Sequence, residues 1–373
     1  MPRRRVTLLV LAVLATGVWG STGAAGTAAC TWRREALDVP PYSMYAIDAS
    51  SRTAWAVGGS SGSPPEFRNQ PAIERWTDSG WERVRAPVFR RHSAGLRGVT
   101  IVSPDDAWAA GDRTRRGRTY QIYLHWDGER WRKYPAPRHD LGEVTDIDAV
   151  AADDVWAVGS DLFTRHGHTQ RAIRVWHFDG VGWTPVDVPR AYGYLSSIDA
   201  DRGRVTAVGT EDFGIPLVLE FDGTKWRRAE LPSLPAQTNL FDIDGRWAVG
   251  VTTSDDSPEV PLALERIAGV WERATVPDLD WASLDTVSAV APDDVWAFGR
   301  TDTSQGEPEP HFVWSVLHHD GSAWSVVSDP SSPDGATGDP RGSAAVGSTG
   351  EVWAIGQLVG AGGRVLNRTV RGC

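Results

Sequence analysis

The sequence predicts an all-β chain: a seven-bladed β-propeller of four-stranded antiparallel blades, the last blade closed by the N-terminal strand. Three observations carry this. A short tryptophan motif returns seven times, and a second motif ending in tryptophan follows each of the first six copies. The seventh copy lacks its final strand, while a matching segment stands at the other end of the chain.

The chain starts MPRRRVTLLVLAVLATGVWGSTGAAGTAA, with three arginines, an apolar run and then small residues, which reads as an export signal over residues 1–29. Residues 30–373 then form one propeller domain. The apolar core of the leader is short, and nothing later approaches the ~20 apolar residues that a membrane span needs, so a secreted, extracellular monomer is expected. The 48 acidic and 38 basic residues give a formal charge of -10. Removal of Arg3, Arg4 and Arg5 with the leader makes the balance about -13. Nucleic acid and anionic membranes are themselves negatively charged, so neither is expected as a general partner. Lys133 and Lys225 are the only lysines, and with abundant Ala, Gly, Val and Asp this points to a GC-rich bacterial genome.

The first motif reads AWAVGG at Trp55, AWAAGD at Trp108, VWAVGS at Trp156, VTAVGT at Thr206, RWAVGV at Trp247, VWAFGR at Trp296 and VWAIGQ at Trp353. The second reads TDSGW, WDGERW, FDGVGW, FDGTKW, IAGVW and HDGSAW, ending at Trp81, Trp131, Trp183, Trp226, Trp271 and Trp324. A period of about 50 residues fits a propeller blade better than a helical repeat. Within one unit, VTIV and AWAA flank Ser103-Pro104-Asp105-Asp106, where Pro and Asp favour a tight turn. YQIYLHW and RWRKY flank Asp127-Gly128, a strong hairpin signal. Each unit therefore contains strands A, B, C and D in meander order. The D strands mix Trp with charge and are broken by Pro, as an exposed sheet edge requires.

The seventh unit ends VWAIGQLVGAGGRVLNRTVRGC, without a D strand, and CTWRREALDVP at the N-terminus has the missing pattern. A disulfide between Cys30 and Cys373 would replace the absent C–D turn. In the chain-entropy model such a loop is worth roughly 5 kcal/mol, and an exported protein meets conditions in which it persists. GTAAC also outlines a lipoprotein cleavage site with Cys30 as the acylated residue, the alternative that would tie the protein to a cell surface.

These repeats resemble secreted actinobacterial propellers built from VWAVG and HWDGxxW units, grouped loosely with kelch and galactose-oxidase-like folds. The resemblance implies architecture and little about activity, since propellers host many functions. The DGxxW elements also look like the Asp-box of sialidases, a structural brace, with a spacing one residue tighter. Sialidase chemistry needs an arginine triad, and the nearest string, EFRNQP around Arg68, follows strand B instead of opening the propeller. Galactose-oxidase chemistry needs a cysteine that ring closure here consumes. No cofactor and no metal are expected. The carboxylate pairs Asp105-Asp106, Asp153-Asp154 and Asp293-Asp294 recur at one turn position and read as turns. RHGH at 165–168 reads as a solvated loop, and His318-His319 as packing residues. The repeat tryptophans fill the spaces between blades, with Trp281 the exception between two of them.

In this topology the B–C and D–A connections share one face. They are long and varied, which is where a rigid scaffold places binding or catalysis. Their charges are unevenly spread. Arg113, Arg115, Arg116, Arg118, Arg165, His166, His168 and Arg171 lie on blades two and three. Glu211, Asp212, Asp255, Asp256, Glu259, Asp302, Glu307 and Glu309 lie on blades four to six. The basic arc, with Arg113, Arg115, Arg116, Arg118, Arg165, His166 and His168 as candidate ligand contacts, suits an anionic partner through forked hydrogen bonds. The expected function is a binding or scaffolding protein for an extracellular glycan or protein. The alternative is a glycan-active hydrolase or lyase at the mouth of the central channel.

Overall fold

The computed structural model describes residues 32–37, 42–60, 69–90, 92–138, 140–165, 168–201, 203–235, 237–254, 257–279, 281–304, 311–327, 337–360 and 364–372. Among these, 28 strands, β1–β28, form seven four-stranded antiparallel sheets and no helix. Blade one is β2–β5 (42–84), blade two β6–β9 (93–134) and blade three β10–β13 (143–185). Blade four is β14–β17 (193–228), blade five β18–β21 (238–273) and blade six β22–β25 (282–327). Blade seven is β26–β28 (337–372) completed by β1 (Arg33–Ala36), in the order β1-β28-β27-β26. The closing register runs from Arg33↔Arg371 to Ala36↔Arg368. Cys30, Cys373 and His166 lie outside the described residues, as do Arg68, Asp255, Asp256, Glu307 and Glu309.

The tryptophans explain why the blades stack in a ring. In six interfaces the strand-B Trp of one blade meets the strand-D Trp of the next edge to face. The pairs are Trp55–Trp131, Trp108–Trp183, Trp156–Trp226, Trp247–Trp324, Trp296–Trp32 and Trp353–Trp81. Their centroids lie 5.1–5.8 Å apart and their planes 74–89° apart, the arrangement that the ring quadrupoles favour. Trp32 thus takes the place of the seventh strand-D tryptophan. The one departure is blade four, whose motif carries Thr206. There Trp271 of blade five instead donates its indole N–H to Glu220, the residue opposite Thr206.

The motif glycine has an equally specific cause. Every inner strand shifts register by one residue at the same place, with Tyr45, Arg97, Thr145, Ser196, Phe241, Asp285 and Arg341 as the bulged residues. The bulge drives the inner strand against strand B. A Cβ on Gly58 would lie 2.0 Å from the Ser43 carbonyl oxygen, on Gly299 1.8 Å from that of Ser283, and on Gly356 2.4 Å from that of Asp339. Only glycine fits there, so the G of WAVG is the sequence mark of a bulge facing the channel.

The C–D turns that carry Asp-Gly differ from the two-residue hairpin that this pair predicts, whereas blades one and five, which lack it, close with two residues. In blade two, β8 (Arg118–Trp126) and β9 (Trp131–Tyr134) leave four residues between them. Asp127 accepts the amides of Glu129 and Arg130 and pairs with Arg132, and Gly128 takes φ 88°. The side chain therefore closes the turn. Those donors hold the Asp127 carboxyl down to about 2, led by the Arg130 amide, and the same arrangement holds Asp222 down to about 2, led by Arg227.

Candidate functional site

The basic arc is less a set of loops than the tips of long hairpins. β7 (Asp106–Arg115) and β8 meet at Arg116-Gly117, both at positive φ, so Arg115, Arg116 and Arg118 crown a two-residue turn and are exposed. Arg113 sits lower, half-buried, with its guanidinium 5.3 Å from the Tyr120 ring centre. In blade three, Arg165 and His168 are backbone partners at the end of β11 (Asp154–Arg165) and β12 (His168–Phe178). Arg171 is neutralised by Glu143 at 3.1 Å. On the acidic side, Arg228 pairs Glu211 through two hydrogen bonds of 2.6 and 2.7 Å, and Asp302 accepts the amides of Ser304 and His311. Much of the charge contrast among the described residues is thus compensated locally, except around Arg113.

Arg113 borders a groove of about 550 Å³ on blade two. One wall is the 88–92 connection. Gln70 fixes this segment by accepting the Phe89 amide at 2.8 Å and donating to the Phe89 and His92 carbonyls at 3.3 and 3.0 Å. Phe89 is thereby held in the core between blades one and two. The other walls are Gln121–Tyr123 of β8 and Lys133 to Ala136. Lys133 donates to the Val88 carbonyl at 2.7 Å and lies 4.0 Å from the Phe89 ring centre. Among the described residues, Arg90, His92, Arg113 and Lys133 line this space and no Asp or Glu does. Burial, then Arg113 and Arg115, push His92 below the ordinary imidazole value; burial and Arg113 lower Lys133.

Three buried polar atoms at the same groove have no hydrogen-bond partner: Tyr123 Oη, Gln121 Oε1 and His92 Nε2. Tyr123 is 0% exposed and stacks on Trp183 at 3.9 Å. Gln121 is 2% exposed. Tyr123 belongs to the core between blades two and three, where its ring lies flat on Trp183. A second groove of about 390 Å³ on blade one shares Val88 and is lined among the described residues by Arg83 and Arg85 as well. Arg90, His92, Lys133, Gln121 and Tyr123 were not singled out from sequence. They come from separate stretches, and only the RRH string at 90–92 hints at them.

The central channel is a cavity of about 420 Å³ lined by all seven inner strands. Its mouth carries the bulged residues, including Arg97, Asp285 and Arg341, with Arg97 4.5 Å from the Tyr45 ring centre. Deeper lie two tiers of aspartate that clasp the next blade. Asp48, Asp148, Asp199 and Asp244 accept the amides of Ile101, Ala200, Gly245 and Ala289. Asp146 and Asp242 accept those of Ile198 and Val287. Ser197 Oγ lies 2.9 Å from Asp146 and 2.7 Å from Asp242. A hydroxyl has one proton to give, so one of the two carboxyls must carry its own. Burial pushes Asp148 and Asp199 to about 7 and Asp146 to about 8, Asp146 further raised by Asp242; Asp48 and Asp285 rise to about 6. The repeated Ile-Asp at 47–48, 147–148, 198–199 and 243–244 is the sequence signal for these clasps.

The carboxylate pairs at the A–B turns do more than turn. Asp106, Asp154 and Asp294 accept or share a proton with His125, His177 and His318 at 2.8–2.9 Å, each imidazole lying against the Trp of its own blade. Threefold recurrence makes these braces of the outer strands. Among the described residues no group of three His, Cys, Asp or Glu is placed to hold a metal ion.

Fold and site together define a seven-bladed propeller with a basic groove on one blade and an acid-lined channel. No protein-family profile matches the chain, and no curated protein does. Among solved structures, YCF48 bound to D1 peptide is similar at 15% identity and TM-score 0.53, over 91% of this chain and 96% of that one. YCF48 from Cyanidioschyzon merolae is similar at 15% identity and TM-score 0.53, over 90% and 98%. Trypanosoma rangeli sialidase in complex with sialic acid reaches 12% identity and TM-score 0.46, over 91% of this chain and 56% of that one. At such identities the likeness to YCF48 shows the shared fold.

Proposed function

We propose that this is a secreted binding or scaffolding protein whose B–C and D–A face takes an extracellular protein or glycan ligand. The observation that carries the reading is the blade-two groove, where Arg90, Arg113 and Lys133 converge with no acidic residue among the described residues lining it, in a chain of net charge -10. Cations held together without counter-ions repel one another, and an anionic ligand relieves that repulsion. A structural neighbour of the same fold is described with a bound peptide, which favours a protein ligand over a glycan. Secretion follows from the leader, and the Cys30–Cys373 disulfide remains part of this proposal.

The test is to replace Arg113, Arg115, Arg116 and Arg118 by Ser. The parent is expected to retain cell-wall material or an extracellular protein at low salt and release it as ionic strength rises. The variant should bind about tenfold or more weakly with an unchanged melting temperature. Equal binding by the two removes the basis for the reading. A glycan-active hydrolase is the second reading, favoured by Asp285 at the channel mouth. Its carboxyl is raised to about 6, by burial first, and its Oδ2 has no partner. An acid poised near neutral pH suits proton donation; loss of glycan cleavage in Asp285→Asn would support it.

A further inference from the structure

We infer that the outer groove between blades four and five binds a small planar aromatic molecule the size of an indole, at the place that the repeat tryptophan takes on the other blades. The groove lies toward the A–B and C–D turns, with Gly203, Asp222 and Gly269 at its end. It is a second site, separate from the blade-two groove.

The repeat shows what this place is shaped for. In blade two the strand-B residue is Trp108, and four rings surround it. His125 and Tyr134 of its own blade lie 4.4 and 5.1 Å away between centroids, and Phe178 and Trp183 of the next blade 4.7 and 5.7 Å away. Blade four carries Thr206 instead. Glu220 stands opposite Thr206 as His125 does opposite Trp108. Ala229 follows Trp226 at the distance in sequence at which Tyr134 follows Trp131, and Arg266 pairs with Trp271 as Phe178 pairs with Trp183. Of that set of rings only Trp271 is kept.

These four counterparts, Glu220, Ala229, Arg266 and Trp271, all line one groove of about 600 Å³, a volume usual for small-molecule sites. Its ions are matched in pairs: Arg266 with Glu220 at 2.6 Å, Arg227 with Asp222 at 2.7 Å and Arg228 with Glu211 at 2.6 Å. Charge is therefore not what selects the ligand. Arg266 is fixed to Glu220 by two hydrogen bonds of 2.6 and 3.3 Å, and Trp271 gives its indole N–H to the same carboxylate at 3.1 Å. Val270, 59% exposed, adds an apolar edge. A guanidinium attracts the face of an aromatic ring. An edge-to-face contact with the strand-D tryptophan is what six other interfaces make at this place. An aliphatic ligand of equal volume has neither contact to give.

Fluoroindole titrated into the full chain and followed by fluorine NMR tests this, with cyclohexanol as a non-aromatic competitor. The parent is expected to bind fluoroindole saturably, and cyclohexanol at equal concentration should not displace it. Thr206→Trp puts back the missing indole and should weaken binding tenfold or more. Ala229→Tyr restores the ring of Tyr134 at a half-buried position and should do the same, which keeps the test decisive if the buried substitution disturbs folding. Melting temperatures establish that each variant is folded. Neither substitution touches the blade-two groove, whose ligand both variants should hold as the parent does. Absence of saturable binding by the parent overturns the inference, as does undiminished binding by the folded variants. Displacement by cyclohexanol means that volume alone is read, and also overturns it.

Discussion

Deleting residues 30–40 is expected to lower the melting temperature by about 10 °C or more, even under reducing conditions where no disulfide contributes. The deletion removes β1 and with it Trp32, whose ring lies 5.3 Å from Trp296 and 5.9 Å from Phe298. It also removes Leu37, which is 7% exposed in the core shared by blades seven and one. Each large apolar side chain taken from the core costs about 2–3 kcal/mol. The four paired residues of β28 (Arg364–Gly372) become an open edge, and Thr369, which links Trp81 and the Glu35 carbonyl, loses one partner. A loss of several kcal/mol corresponds to a shift of roughly 10 °C in a domain of this size. Scanning calorimetry of the truncated chain beside the parent decides it. An unchanged midpoint would show that β1 is decoration and that blade seven stands on three strands.

The second large effect is on pH. Raising the pH from 5 to 8.5 should destabilise the ring, lowering the melting temperature by ~5–10 °C. Six aspartates clasp neighbouring blades inside the channel, and burial raises every one of them above its ordinary carboxyl value. The folded protein therefore binds more protons than the unfolded chain. Their stabilisation is complete below the unfolded value near 4 and is lost as the pH rises through the folded values of about 6 to 8. Nearby cations offset little of this. Arg204 bears on Asp199, and Arg300 and Arg341 on Asp285, while the deeper pair Asp146 and Asp242 face each other. Asp146→Asn should flatten the dependence and raise the midpoint at pH 8.5, since an amide can hydrogen-bond Ser197 without charge. A parent melting temperature that is level or rising over this interval would contradict the protonated belt.

The architecture was legible because its determinants are local and repeated. Tryptophan pairing across blades, glycine opposite the bulge and aspartate closing the C–D turn each recur along the chain. A single sequence therefore reports each of them several times. Trp32 could even be assigned to a blade whose other strands lie more than 300 residues away. The groove was not legible. Its cations come from a connection at 88–92, a hairpin at 113 and an edge strand at 133, and no repeat places them together. Arg113 was singled out with Arg115, Arg116 and Arg118 as one cluster, but strand alternation and the turn send it into a wall and the others to solvent. The channel clasps fall between. Their Ile-Asp repeat is visible, whereas the burial that keeps them protonated depends on ring closure.

Ring closure also sets an order of events. Arg33 pairs with Arg371, so the first strand of the propeller has no partner until nearly all of the remaining chain exists. Blades one to six are each built from neighbouring stretches and can form as they are synthesised or delivered. The β1 segment must wait, with Trp32 unburied, through all of them. Joining ends so distant in sequence is slow, because the loop entropy is spent before any contact repays it. A chain that folds from its beginning is thus completed at its beginning, and the interval during which Trp32 stays unpaired is when the protein is most open to mispairing with a second copy of itself.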